Sequence, residues 1–128
     1  MKKILLFLFL SATIFSCKVT WVPTKSATAL DMVQQIQQDA NEAFDRPYYY
    51  DPAYSSVSNQ IDSLIAFDKA RVKSGKILVQ DKAIKTLFDE FRNENKVKEV
   101  IELSERDVYK SYFKSVISPR IISENSLK

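Results

Sequence analysis

Histidine is absent from this 128-residue chain, glycine occurs once as Gly75, and cysteine occurs once as Cys17. Each shortage removes a class of chemistry. Without His there is no Ser-His-Asp or Cys-His relay, no usual zinc ligand set and no Glu-x-x-His pair of the di-iron helical bundles. A single glycine supplies no phosphate-cradling loop, and the Asn-Gly and Gly-x turns of β-hairpins are missing. The stretch from Asp45 to Asp51 lacks the ligand spacing and central glycine of a calcium loop. A lone Cys has no disulfide partner. No run reaches the roughly 20 apolar residues of a membrane-spanning helix. Net charge is also small: removing the first sixteen residues would leave 112 residues and, with Lys2 and Lys3 gone, a formal charge of +1 in place of +3. That is no footprint for nucleic acid. No cofactor, metal site or enzymatic role is expected.

What is present begins with an export signal. Lys2 and Lys3 precede an apolar run from Ile4 to Phe15, and Cys17 follows it directly in Ile14-Phe15-Ser16-Cys17. A short cationic start and an apolar stretch of this length make a secretory signal, but the usual small-x-small cleavage site is missing. The segment resembles the signal and lipobox of bacterial lipoproteins, of the Bacteroidetes type in its Ser before the Cys, with Phe15 where Ala or Ser is usual. The resemblance implies that residues 1–16 are a cleaved lipoprotein signal peptide. It also implies that Cys17 is the lipidation site, acylated on both thiol and new amino group. A plain secretory signal with an incidental Cys, or an uncleaved N-terminal anchor, are the other readings. Two or more acyl chains make such anchoring stable, each buried methylene adding about 0.8 kcal/mol. Lys18 is not Asp, and residues 19–21 hold no acid. Both points favour the inner, periplasmic leaflet of the outer membrane.

Behind the anchor the composition is helical, with Gln, Lys, Glu, Asp, Ala and Leu dominating between a few Pro and Ser breaks. The expected architecture is all-α: a lipidated tether at 17–27, an up-down-up-down four-helix bundle at 28–118 and a frayed or kinked tail at 119–128. In the tether, Trp21 suits either the membrane interface or the end of the bundle. The first helix is predicted over 28–44, with Leu30, Val33, Ile36, Ala40, Ala43 and Phe44 at spacings of three and four. The second runs from Pro52 or Ala53 to Lys73, with Asp51 as N-cap. Its inward stripe is Tyr54, Val57, Ile61, Leu64, Ile65, Asp68 and Val72, and Gly75 is expected to take a left-handed C-terminal cap. The third spans 77–93 on Ile77, Ile84, Leu87, Phe88 and Phe91, with Lys85–Asp89 as an outward i,i+4 pair. Residues 96–103 read as a loose crossover, with Val97, Val100 and Ile101 tucked against the core, in preference to a helical turn. Ser104 then caps a last helix over 105–118, with Val108, Tyr109, Tyr112, Phe113, Val116 and Ile117 facing in.

Two features are candidates for function. Residues 45–55 gather Tyr48, Tyr49, Tyr50 and Tyr54 with two prolines. Tyr offers large contact area at low entropy cost, so this loop is a candidate interaction surface. The same rings would equally serve to close the end of the bundle, hydroxyls outward. Carboxylates remain the only acid–base groups, with Asp39, Glu42, Asp62 and Asp68 as candidates. Asp68 alone lies on an inward stripe, where Lys69 or Arg71 is near enough to pair with it.

The pieces YYYDPAYSSVSNQIDSLI, FDKARVKSG, AIKTLFDEF and DVYKSYFKSVI, behind a lipobox, resemble a set of small, uncharacterised helical lipoproteins of bacteria. The resemblance is one of pattern over residues 28–118 and brings no activity with it. The expected role is a non-catalytic protein-interaction module of the cell envelope, its partners a membrane and an unknown envelope protein. The alternatives are a carrier of a small hydrophobic ligand or lipid, between Phe44, Phe67, Phe88, Phe91 and Phe113, and an immunity or exclusion lipoprotein.

Overall fold

The computed structural model describes residues 23–128, and within them the chain forms four α-helices and no strand. They are α1 (Ala27–Phe44), α2 (Asp51–Lys69), α3 (Gly75–Lys96) and α4 (Leu103–Ser126). The signal segment, Cys17 and Trp21 lie outside the described residues.

Each helix buries one stripe at steps of three and four, alternating strictly on α1, α2 and α3. On α1 these are Ala29, Val33, Ile36, Ala40 and Ala43; on α2, Tyr54, Val57, Ile61, Leu64 and Asp68. On α3 they are Ile77, Asp81, Ile84, Phe88, Phe91 and Asn95, and on α4, Tyr109, Phe113, Ile117, Arg120 and Glu124. A mean step of 3.5 keeps the stripe on one side of a helix that crosses its neighbours at a shallow angle, the geometry of four-helix bundles. Accordingly each helix packs on two others only, closing the ring α1–α2–α3–α4. Starts are set locally. The Ser26 hydroxyl accepts the Ala29 N–H at 3.1 Å, and Pro52 sits in the first turn of α2, where its missing N–H costs nothing.

Backbone hydrogen bonds between the connections fix the direction of the chain. Ile101 N–H donates to the Pro47 carbonyl at 2.8 Å, joining the α1–α2 and α3–α4 loops at one end. Lys25 N–H donates to the Lys128 carbonyl at 3.2 Å, so the start of α1 and the end of α4 meet at the other. The helices therefore run up, down, up and down. Phe44 is the hub of the first end, with the rings of Tyr54, Phe88, Phe91, Tyr109 and Phe113 all 5.6–6.1 Å away. The small Ala40 and Ala43 beside it on α1 leave that space to the rings.

Several details differ from the sequence-based expectation: Asp51 is the first helical residue of α2 and Tyr50 its N-cap, α3 runs to Lys96, and four more differences accompany these. Gly75 opens α3 and is not left-handed; the left-handed residue is Lys73, at φ 63°. The chain reverses two residues before its glycine because Ser74, itself buried, must leave its carbonyl to accept the Leu78 N–H at 2.9 Å. Second, α4 does not end at Ser118 but continues through Pro119 to Ser126. Pro119 faces solvent, and the turns beyond it are held by the buried side chains of Arg120 and Glu124. Third, α4 begins at Leu103 with Glu102 as N-cap, ahead of Ser104. Fourth, Val72 is exposed because α2 ends at Lys69 and not at Lys73, and Val108 and Tyr112 are exposed because the buried stripe on α4 steps from Tyr109 to Phe113 to Ile117. The crossover is a short loop, but of the three aliphatic residues expected to tuck against the core only Ile101 is buried, while Val97 and Val100 stay outside.

Candidate functional site

The two ends of the bundle carry its unusual chemistry. At the end where the chain enters, the last core position of α2 is Asp68, an early one of α3 is Asp81, and the last two of α4 are Arg120 and Glu124. All four are 0% exposed. Arg120 donates from Nε to Asp81 Oδ1 at 2.9 Å, and from Nη2 to Asp68 Oδ2 at 2.8 Å and Glu124 Oε1 at 3.0 Å. Arg71, in the α2–α3 loop, closes the cluster from outside. Its Nη1 reaches Asp68 Oδ1 at 2.9 Å and Glu124 Oε1 at 2.7 Å, and its Nη2 reaches Glu124 Oε2 at 3.0 Å.

Three carboxyls thus face two guanidiniums. Burial, together with the facing Asp68 carboxylate, pushes the Asp81 carboxyl up to about 8. Burial acts on Asp68 in the same sense, but the hydrogen bonds from Asp81, Arg120 and Arg71 outweigh it and hold Asp68 below the usual range. Glu124 is likewise lowered, its bonds from Arg71, Ser26 and Arg120 exceeding the cost of burial. With Asp81 protonated, two negative charges meet two positive ones and the cluster is neutral. Asp81 Oδ2 is buried without a hydrogen-bond partner among the described residues. The arrangement is a proton-sharing carboxyl pair closed to solvent. It is suited to holding helices together and has no opening through which a substrate would reach the proton.

The cluster also grips the chain just ahead of α1. Arg71 Nη2 donates to the Thr24 carbonyl at 2.7 Å, and Ser26 N–H donates to Glu124 Oε2 at 3.0 Å. The strap that leads in from the N-terminus is pinned to the α2–α3 loop and to α4 at once.

At the far end the four tyrosines separate. Tyr54 is fully buried, its hydroxyl accepting from Asn95 Nδ2 at 2.9 Å. Tyr49 stacks on Tyr54 with centroids 4.7 Å apart and donates to Asp51 Oδ1 at 2.6 Å. Arg92 ties that corner together, reaching the Tyr49 hydroxyl at 3.1 Å and Ser55 Oγ at 2.9 Å. Tyr54 and Tyr49 therefore belong to the closure of the core. Tyr48 and Tyr50 remain exposed, at 51% and 42%, with Arg46 lying 4.6 Å over the Tyr50 ring. The neighbouring α3–α4 connection adds Val97 at 85%, Val100 at 61% and Leu103 at 58% exposed. Large apolar side chains from both loops thus crowd one end.

No family model, curated protein or solved structure matches the chain.

The remaining candidates are spread out. Asp39 accepts from Gln35 at 2.9 Å and from Gln60 at 2.7 Å, and Glu42 is exposed. Asp62 pairs with Lys85, which turns to it across the α2–α3 interface and away from the expected Asp89. A groove of about 590 Å³ lies between α1 and α2, lined by Met32 and by polar side chains that include Asp31, Gln35, Asn59 and Gln60. Of the five phenylalanines, Phe88, Phe91 and Phe113 pack on Phe44, whereas Phe67 is only half-buried. Asp68 was visible in the sequence as an interruption of an inward stripe. Asp81, Arg120 and Glu124 occupy the same kind of position, and extending the three–four step past Ile77 and Ile117 would have found them. Among the described residues, no helix is long and apolar enough to cross a membrane.

Proposed function

We propose that the protein is a lipid-anchored, non-catalytic interaction module of the cell envelope. It is held through Cys17 in the inner leaflet of the outer membrane and offers its tether-distal end to an envelope protein. The observation that carries the reading is the separation of roles along the bundle. The strap from the N-terminus is pinned at one end by Arg71 and Glu124. The exposed Tyr48, Tyr50, Val97, Val100 and Leu103 sit at the other. Helices of 18 to 24 residues put roughly 30 Å between the two. Exposed aromatic and aliphatic side chains grouped on one surface are the usual mark of a docking site.

Two measurements test this. Intact mass of membrane-extracted protein is expected to show a chain beginning at Cys17 with acyl groups added; an unmodified Cys17, or a chain that keeps residues 1–16, overturns the anchor. A photo-crosslinking side chain at Tyr48 or Val100 is expected to capture one shared envelope protein, and one at Gln34, midway along α1, to capture none. The adduct at Val100 should vanish in Tyr48→Ser/Tyr50→Ser. An adduct that survives that change removes the loop from the site.

A further inference from the structure

The end of the bundle that receives the tether is uniformly basic on its surface. Its exposed charges are Lys25 ahead of α1, Lys69 at the end of α2, Lys73 in the following turn, Lys76 in the first turn of α3, and Lys128. Residues 23–30, 69–80 and 118–128 contain one acid, Glu124, and it is buried and bonded to Arg71 and Arg120. The nearest exposed acid on α1 is Asp31, beyond the first turn. Val72, 75% exposed, projects among these lysines. The opposite end is mixed, with Asp45, Asp51, Glu94, Glu99, Glu102 and Asp107 all exposed. At roughly 30 Å those acids lie well outside the screening length of about 10 Å at 0.1 M salt, so they do not offset the lysines.

We propose that this basic end is a membrane-facing surface that rests on anionic lipid headgroups. The proposal deepens the anchoring reading and rests on it: the tether leaves the bundle at this same end, through Thr24 and Lys25, so the lysines are the first charges to meet the bilayer. Clusters of four to eight cations beside a membrane anchor are attracted to anionic headgroups, and three such lysines together change partitioning by roughly a hundredfold. Lysine stems with charged tips, and an exposed valine between them, suit the headgroup boundary. The clasp of Arg71 and Glu124 on residues 24–26 transmits that contact to the helices. It sets the bundle upright, with the Tyr48 end pointing away from the bilayer.

The test uses the full chain reconstituted in two kinds of vesicle, neutral phosphatidylcholine and phosphatidylcholine mixed with phosphatidylglycerol. Lysines are pulse-acetylated and quantified residue by residue, with the distal Lys96 as internal reference. On the anionic vesicles, Lys69, Lys73 and Lys76 are expected to react at least fivefold more slowly relative to Lys96. High salt should remove the difference, and neutral vesicles should not produce it. In Lys69→Gln/Lys73→Gln/Lys76→Gln, whose changes all fall on exposed side chains, Lys25 and Lys128 should lose their protection as well. Equal rates on both vesicles overturn the proposal. So does protection in intact cells without protection on anionic vesicles, which would assign the end to an acidic protein. Failure of the anchor itself is read separately, as loss of the chain from neutral vesicles on flotation.

Discussion

Arg120 has no exposed surface and donates to three buried carboxyls on three helices. Removing one partner from such a set costs more than the set contributes, because the others stay buried without compensation, at roughly 3–5 kcal/mol. Arg120→Met should therefore lower the unfolding free energy measured in urea by an amount in that range. Replacing Asp68, Asp81, Arg120 and Glu124 together by apolar residues of similar volume should cost far less. A small loss in the single variant would mean that water reaches the cluster. Asp81 makes the same region sensitive to pH. Unfolded, its carboxyl ionises near 3.8; folded, it keeps its proton up to about 8. Between those values unfolding releases a proton, so stability falls as pH rises, by up to about 1.4 kcal/mol per pH unit. Above about 8 both states are ionised and the slope vanishes. Asp68 and Glu124, both lowered, act in the opposite sense and only below their ordinary values, so stability should peak near pH 4 to 5. Asp81→Asn keeps a donor toward Asp68 and nothing to ionise. Thermal melts between pH 5 and 8 should be sloped for the natural chain and flat for this variant.

At the scale of the element, the α2–α3 turn places its glycine two residues from where the backbone needs one. Lys73 holds φ at 63°, which costs a side-chain-bearing residue about 1–2 kcal/mol, while Gly75 begins a helix with open space where a Cβ would stand. Lys73→Gly and Gly75→Ala are each expected to raise stability by about 1 kcal/mol in chemical denaturation. A loss in either would show that the turn relaxes in solution to another shape. The same turn shows what could be read from residues alone. The existence and order of four helices followed from three–four spacing, the Pro52 start and the near absence of glycine. The exact cap did not, because Ser74 and the cluster behind it decide where the chain turns. The end of α4 was missed for a related reason. Pro119 is locally a stop signal, and only the tertiary pairing of Arg120 and Glu124 with α2, α3 and the strap carries the helix through it. Of the tyrosine loop, composition identified the segment. The division into buried Tyr54 and Tyr49 and exposed Tyr48 and Tyr50 depends on Asn95 and Arg92, which come from α3, more than 35 residues away in sequence.

Over the whole molecule, the two ends of one core are held by different forces. The Phe44 end is packed ring on ring. The strap end relies on charge, and its parts come from segments that meet only when the bundle closes: 24–26, 68–71, Asp81 and 120–124. A four-membered ring of helices has no element that touches only one neighbour, so loss at one end should be felt throughout. A chain ending at Ser118 tests this. It keeps the aromatic hub, yet it lacks Arg120 and Glu124, leaving Asp68 and Asp81 with Arg71 alone and Ser26 N–H without its acceptor. At roughly 4–8 °C per kcal/mol for a domain of this size, a deficit of roughly 3–5 kcal/mol predicts a melting temperature lower by at least about 12 °C, read by circular dichroism at pH 7. Adding Asp68→Leu and Asp81→Leu to the truncated chain removes the uncompensated acids and should restore part of the difference. A truncated chain that melts within a few degrees of the full one would show that the aromatic end alone holds the bundle, and that the buried charges serve only to fix the strap.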